Sequence, residues 1–190
     1  QAPIAELARQ LPQCGCSDDF SAYCGALKHR VKHDKEADLG PLAEALVHAM
    51  RMYFGHDRCA DRCKPLADVL DEFCAAKGLR SLASDLHRGL LRELLRNLND
   101  STWTKHMEGG SQLLRMVNLS CVTLLANLSR ASAVALLLDL GTDESEVISS
   151  SLVVKCFRKV TRGLSSSSTA EADVNTLLEV VGRWLRRAQP

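Results

Sequence analysis

Aromatic side chains make up only 4% of this chain, and a platform that stacks nucleic-acid bases needs exposed rings in number. An excess of one charge is missing as well. Against 24 basic residues stand 23 acidic ones, so the chain as a whole carries no field suited to holding phosphates. No apolar run approaches the roughly 20 residues that span a bilayer. The N-terminus QAPIAELARQ has neither the basic start nor the apolar centre of a secretory leader. Sustained two-residue alternation, the signature of a half-buried strand, is absent too. So are a Ser–His–acid order, a lysine-bearing phosphate loop and a paired-carboxylate motif. These absences predict a chain without catalytic residues or cofactor, binding neither nucleic acid nor membrane.

What is present is helical period. In the stretch 108–140, Leu113, Leu114, Val117, Cys121, Leu124, Leu125 and Leu128 recur at three- and four-residue steps. After an interruption at Ser129–Ser132, Val134, Leu137, Leu138 and Leu140 continue, with Gly141 placed where a helix C-cap glycine is expected. Two helices joined by so short a link are expected to fold back as an antiparallel hairpin. The same punctuation runs through the rest of the chain. A short helix from Pro3 to Leu11 ends at Pro12, and Ser17 caps a helix reaching about His33. Pro41 opens one through Phe54. Leu66, Val69, Leu70 and Phe73 mark a helix ended by Gly78, and Ser81 starts the next, running to Leu98. Asp143 with Glu146 and Ser168 with Glu171 have capping-box spacing, opening helices over 147–161 and 170–188. The fold expected is therefore all-α, about nine helices in antiparallel pairs stacked as an α-solenoid. It forms one domain over 1–190, with residues 1–17 as a short helix and turn. Pairs fall at about 18–54, 59–98, 108–140 and 143–188, the roughly 40-residue spacing of HEAT-type repeats. A chain beginning at Gln1 and stopping at Pro190 reads as a piece of something longer, with further helices expected beyond.

Eight cysteines do not form a disulfide pattern: Cys24, Cys74, Cys121 and Cys156 fall on apolar helix faces, where a free thiol behaves as a small hydrophobe. The expectation is a reducing, intracellular setting. Cys14, Cys16, His29, His33, His56, Cys59 and Cys63 are the one metal-like cluster, with His29 and His33 sharing a helix face. The C-x-C and C-x-x-x-C spacings depart from paired zinc ligands, so no metal site is assigned. The glycosylation-type triplets at Asn118 and Asn127 lie within helices and are read as accidental.

Two features point to a partner. Lys155, Arg158, Lys159 and Arg162 form a basic stripe on one helix, within a 151–190 segment of seven basic and three acidic residues. Such a stripe is either a solvated face or a docking surface for an acidic partner. Trp103, in the polar loop STWTKHM, is either tucked against helix ends or an exposed anchor. Asn118, inside an apolar face, is expected to hydrogen-bond between repeats.

The segment Glu108-Gly109-Gly110-Ser111-Gln112-Leu113-Leu114-Arg115-Met116-Val117-Asn118 resembles the EG-x-Q-hydrophobic-hydrophobic-R/K-x-hydrophobic-N segment in the C-terminal part of the ch-TOG/Mini spindles/MOR microtubule polymerases. LHRGLLRELLRNLND before it and Leu152-Val153-Val154-Lys155-Cys156 after it are similar to flanking segments of that region, in the same order; together they cover about 85–165. The resemblance implies a HEAT-repeat, TOG-like interaction domain lying after the tubulin-binding array. Its implied partners are tubulin or the microtubule, or a coiled-coil adaptor of the TACC type. Its implied place is cytoplasmic, at microtubules, spindle or spindle pole, and as an isolated domain it is expected to be monomeric. TOG domains touch tubulin along one edge, with a tryptophan in the first loop and cations in later ones. Here the loop His33–Gly40 has no tryptophan, while later loops offer Lys77, Arg80, Arg130 and Arg162. Two alternatives stay open: a true tubulin-dimer-binding TOG domain with degenerate edge loops, and an unrelated metal-binding helical domain using the N-terminal Cys/His cluster.

Overall fold

A computed structural model describes residues 4–11, 17–34, 37–54, 59–105, 107–141, 150–162, 175, 178, 179, 181 and 182. The fold is all-α: among the described residues there is no strand. Among the described residues eight α-helices follow one another in the order α1 (Ile4–Gln10), α2 (Ser17–His33), α3 (Gly40–Tyr53), α4 (Ala60–Ala75), α5 (Ser84–Asn99), α6 (Gly110–Asn127), α7 (Arg130–Gly141) and α8 (Ser150–Thr161). The helix expected over 170–188 lies mostly outside the described residues; Asn175, Leu178, Glu179, Val181 and Gly182 within it are helical. The chain divides into two compact units, Gln1–Asn127 and Leu128–Pro190, where the sequence reading has a single domain. The division falls inside the expected central hairpin. Within the units, α6 packs on α4 and α5, and α7 on α8.

The first unit is a two-layered, solenoid-like stack. Helices α1, α3 and α5 lie side by side in one layer, and α2, α4 and α6 in the other. Contacts between layers join α1 with α2, α3 with α4, and α5 with α6. In this register the pairs are offset by one helix from the α2–α3 and α4–α5 units read from sequence. Apolar period sets that frame only loosely, because in a stack every helix has neighbours on both sides. Helix α4, between α2 and α6, buries Cys63, Leu66, Ala67, Val69, Leu70, Phe73 and Cys74. Phe20 of α2 meets Tyr53 of α3 edge-on at 5.1 Å, and the Arg62 guanidinium of α4 lies 5.6 and 5.2 Å from the two ring centroids, so one cluster ties three helices.

Helix ends are closed by residues far away in sequence. Asn127, the last residue of α6, donates Nδ2–H to the Cys74 carbonyl at 2.6 Å, satisfying a carbonyl in the last turn of α4. Arg80 returns the favour by donating Nε–H to the Asn127 carbonyl at 2.8 Å. Between α4 and α5 the chain makes a 3₁₀ turn, Lys77–Ser81, rather than the Gly78 stop and Ser81 start read from sequence. Buried His87 donates Nε2–H to the Leu79 carbonyl at 2.8 Å, pinning that turn. Asn127→Ala is expected to lower stability by about 1–2 kcal/mol, read by urea denaturation, because the Cys74 carbonyl loses its partner.

Three further expectations are revised. Asn118 is exposed; on α6 the residue that bridges helices is Asn127. Gly141 is the last residue of α7 with no positive φ, and Gly109 is the only described residue that has one, at 70°. Leu178, read as inward, is 65% exposed. In the second unit, Val134 of α7 is buried and packed by Ala131, Ala135, Leu138, Phe157, Val160 and Val181. Near the other end, the position a Cβ on Gly141 would take is 3.3 Å from Val153 Cγ1. Because early α7 faces late α8 and late α7 faces early α8, the two helices run antiparallel.

Candidate functional site

Helix α8 is amphipathic because Val153, Phe157 and Val160 recur at four- and three-residue steps. Val153 is buried, and Phe157 and Val160 pack around Val134. The inward set read from sequence (Ile148, Leu152, Cys156, Val160) is thus rotated by about one residue; Ile148 lies outside the described residues. The opposite face carries Lys155, Arg158, Lys159 and Arg162, all exposed. Val154 is 46% exposed beside them. Among the described residues no carboxylate meets Lys155, Arg158 or Lys159 within ion-pair distance. The ladder climbs about 10 Å along the axis at 1.5 Å per residue, so its charge is spread along a line. Arg158 and Lys159 also sit in the last turn, where cations meet the negative end of the helix dipole.

The other predicted contact residues do not share that face. Arg130 is the first residue of α7, whose N-terminus is capped by Ser129 Oγ accepting from the Ser132 N–H at 3.1 Å. The antiparallel arrangement brings Arg130 and Arg162 to the same end of the α7–α8 pair. Lys77 is exposed on the rim of a cleft of about 160 Å³ whose lining includes Lys32, Asp34, Leu39 and Glu72. Arg80 is exposed but already holds the C-terminal carbonyl of α6, which gives it a structural task that its place in a loop did not reveal.

Trp103 sits in the 3₁₀ turn Thr102–Thr104; its side chain lies outside the described residues. The turn itself is tightly tied. Asp100 Oδ1 accepts from the Thr102 hydroxyl at 2.5 Å and from its N–H at 3.2 Å, and the Thr104 hydroxyl donates to the Ser101 carbonyl at 2.8 Å. These bonds from the Thr102 hydroxyl and N–H, with Lys105 nearby, hold the Asp100 carboxyl below its ordinary pKa. The turn therefore keeps this contribution at neutral pH and loses it only on acidification below the usual carboxylate range. The turn docks on the start of α6: a Cβ built on Gly110 would lie 1.9 Å from the Thr104 carbonyl oxygen. Gly109 supplies the positive φ that turns the chain into the helix. Both glycines of the Glu108-Gly109-Gly110 motif are thus explained by backbone geometry.

The N-terminal Cys/His cluster is not brought together among the described residues, where no group of three metal-ligating side chains occurs. His29 and His33 lie ring to ring at 4.4 Å. Cys63 turns inward, donating its thiol to the Cys59 and Tyr53 carbonyls at 3.2 and 3.5 Å. Cys14, Cys16 and His56 fall outside the described residues. Burial, with Cys59 and Asp61 close by, pushes the Cys63 thiol from its ordinary 9.0 up to about 12; burial and Asp71 do the same for Cys74. Neither is a ready thiolate nucleophile at neutral pH. Iodoacetamide at pH 8 is expected to leave Cys63 and Cys74 unmodified in the native chain, as read by peptide mass spectrometry. Between pH 9 and 12 the unfolded chain loses these protons first, so stability falls as pH rises.

The feature that sequence reading passed over is Glu93. On an Arg-rich helix it looks like a surface i,i+3 partner, yet its side chain is 3% exposed and surrounded by Arg51, Arg92 and Arg96. The four-residue spacing of Arg88, Arg92 and Arg96 was the available signal for a cationic face; the burial of Glu93 depends on α3 lying alongside. Compared with family models, with characterised proteins and with solved structures, the chain shows no significant match.

Proposed function

We propose that this chain is a non-catalytic interaction domain of a microtubule polymerase, of the TOG-like type found in the C-terminal part of the ch-TOG/Mini spindles/MOR family. Its partner is an acidic surface, either the microtubule or a coiled-coil adaptor of the TACC type. It works in the cytoplasm at microtubules or spindle poles. The observation that carries this reading is the outer face of α8, where Lys155, Arg158 and Lys159 stand exposed without a carboxylate partner among the described residues. A solvated helix face ordinarily mixes both signs of charge. Here a line of one sign meets the need of an extended acidic partner, whose on-rate such a field raises. The family-like segments around Gly109, Gly110 and Lys155 name that partner class.

A second reading, direct capture of a tubulin dimer along the loop edge, is favoured by one observation: Arg130 and Arg162 lie at the same end of the α7–α8 pair. Against it stands Arg80, which is engaged with the Asn127 carbonyl. Size-exclusion chromatography with αβ-tubulin at low salt separates the readings. Co-elution that is lost when Arg130 and Arg162 are changed to Glu supports edge capture. Co-elution that survives that change supports the α8 face. No complex at tens of micromolar directs the search to acidic coiled coils, and failure there as well, with microtubules also unbound, removes the proposed function.

A further inference from the structure

Helix α2 carries two imidazoles one turn apart. It is helical from Ser17 to His33, and residues four apart share a face, so His29 and His33 stand one above the other. Phe20, Cys24, Leu27 and Val31 of the same helix are buried. At 100° per residue they lie on the side opposite the two histidines, which are both exposed. The ring centres are 4.4 Å apart, with 39° between the planes. Neither ring makes a hydrogen bond or ion pair among the described residues. Each neutral imidazole therefore keeps a nitrogen lone pair open to solvent. Buried His87, by contrast, has its Nε2 bonded to the Leu79 carbonyl.

A divalent transition-metal ion holds an imidazole nitrogen at about 2.0–2.1 Å. The ring centres of two such ligands then stand roughly 4.5 Å apart when they meet the ion at a right angle, and roughly 5.1 Å apart in a tetrahedron. The observed 4.4 Å fits the right-angled pair, the arrangement of tetragonal nitrogen sites that favour Ni²⁺ and Cu²⁺. His33 is also the last residue of α2, where the negative end of the helix dipole attracts a cation. Lys28 and Arg30 are close in sequence, but each faces a carboxylate, Asp68 at 3.7 Å and Asp34 at 3.3 Å. Exposed Lys32 opposes a cation here, and the dipole acts against that repulsion.

We propose that His29 and His33 form a two-point surface site for a divalent transition-metal ion of the Ni²⁺ and Cu²⁺ class. Among the described residues no third metal-ligating side chain joins the pair. Water therefore fills the remaining positions, and the ion is exchangeable rather than structural. Nitrogen ligands separate this site from those for Mg²⁺ and Ca²⁺, which take oxygen. The site lies in the first unit and does not depend on the α8 reading.

The test is isothermal titration of the whole chain with Ni²⁺, an ion that thiols do not reduce, at pH 7.5. One ion binds per chain, and excess Mg²⁺ does not displace it. His29→Ala and His33→Ala each weaken binding about tenfold or more, because either change turns a chelate into a single contact. His48→Ala, at an exposed histidine of α3, binds like the wild type. All three positions are exposed, so the metal-free melting temperatures stay unchanged. Wild-type affinity in either His29→Ala or His33→Ala would overturn the proposal and leave the pair as stacked rings. An equal loss in His48→Ala would overturn it too. Displacement by Mg²⁺ would overturn the nitrogen-ligand assignment, and tighter binding of Zn²⁺ than of Ni²⁺ would overturn the right-angled geometry.

Discussion

Gly110→Ala is expected to lower the melting temperature of the chain by roughly 10 °C, the largest effect of a Gly→Ala change among the described glycines. The added Cβ would lie 1.9 Å from the Thr104 carbonyl oxygen, 2.8 Å from its carbonyl carbon and 3.1 Å from its Cα. All three are backbone atoms, so no side-chain rotation relieves the contact. Either the Thr102–Thr104 turn moves off α6 or the first turn of α6 unwinds. The first breaks the Met107 N–H bond to the Thr104 carbonyl, 3.4 Å long, and the second breaks those of Gln112 and Leu113 to the Gly109 carbonyl, at 2.9 and 3.0 Å. Overpacking of this kind costs about 3 kcal/mol. Two controls set the scale. Gly109→Ala meets no atom within 4 Å but holds φ at 70°, which costs about 1–2 kcal/mol. Gly141→Ala meets only the Val153 side chain, at 3.3 Å, which has room to shift, so its effect stays within about 1 kcal/mol. Differential scanning calorimetry of the three variants should rank them Gly110, Gly109, Gly141. If Gly110→Ala melts with the wild type, the docking of the turn on α6 is wrong.

Replacing Lys155, Arg158 and Lys159 together by Glu is expected to abolish binding to an acidic partner, with at least a hundredfold loss of affinity. The change converts a ladder of three positive charges into three negative ones, so attraction becomes repulsion at each rung. The fold is expected to survive, because these side chains are exposed while α8 is held by Val153, Phe157 and Val160. A small loss does follow, since Arg158 and Lys159 sit at the helix C-terminus, where acidic residues oppose the dipole by about 0.3–1 kcal/mol each. Circular dichroism melting therefore accompanies the binding assay. Wild-type affinity in the triple variant, at low salt and with an intact melt, rules out α8 as the docking face. Affinity that falls steeply with added salt in the wild type is the companion result.

Much of the candidate face was legible before any coordinates. Residues 155, 158, 159 and 162 share one side of any helix they form, so their alignment follows from spacing. That Lys155, Arg158 and Lys159 meet no carboxylate among the described residues did not follow, since a pairing acid could come from any packed neighbour. Arg80 and Glu93 show the limit from both sides. Arg80 reads as a loop cation open to a partner, and its guanidinium is taken by a carbonyl 47 residues away. Glu93 reads as a solvated acid, and Arg51, 42 residues earlier, closes over it.

The all-α class, the positions of the helices and the basic line on α8 are written locally in the chain. Apolar recurrence at three and four residues, capping side chains and punctuating prolines act within a turn or two of backbone, where sequence distance and spatial distance agree. The two-layer stack, its division after Asn127, the clasp of Arg80 and Asn127 on two helix ends, the bare backbone contact at Gly110 and the arginines around Glu93 belong to the tertiary structure alone. Each depends on which distant segments lie side by side. Apolar periodicity says that a helix must bury a face but not against what, and it is the partner that decides whether a charge is surface, core or site.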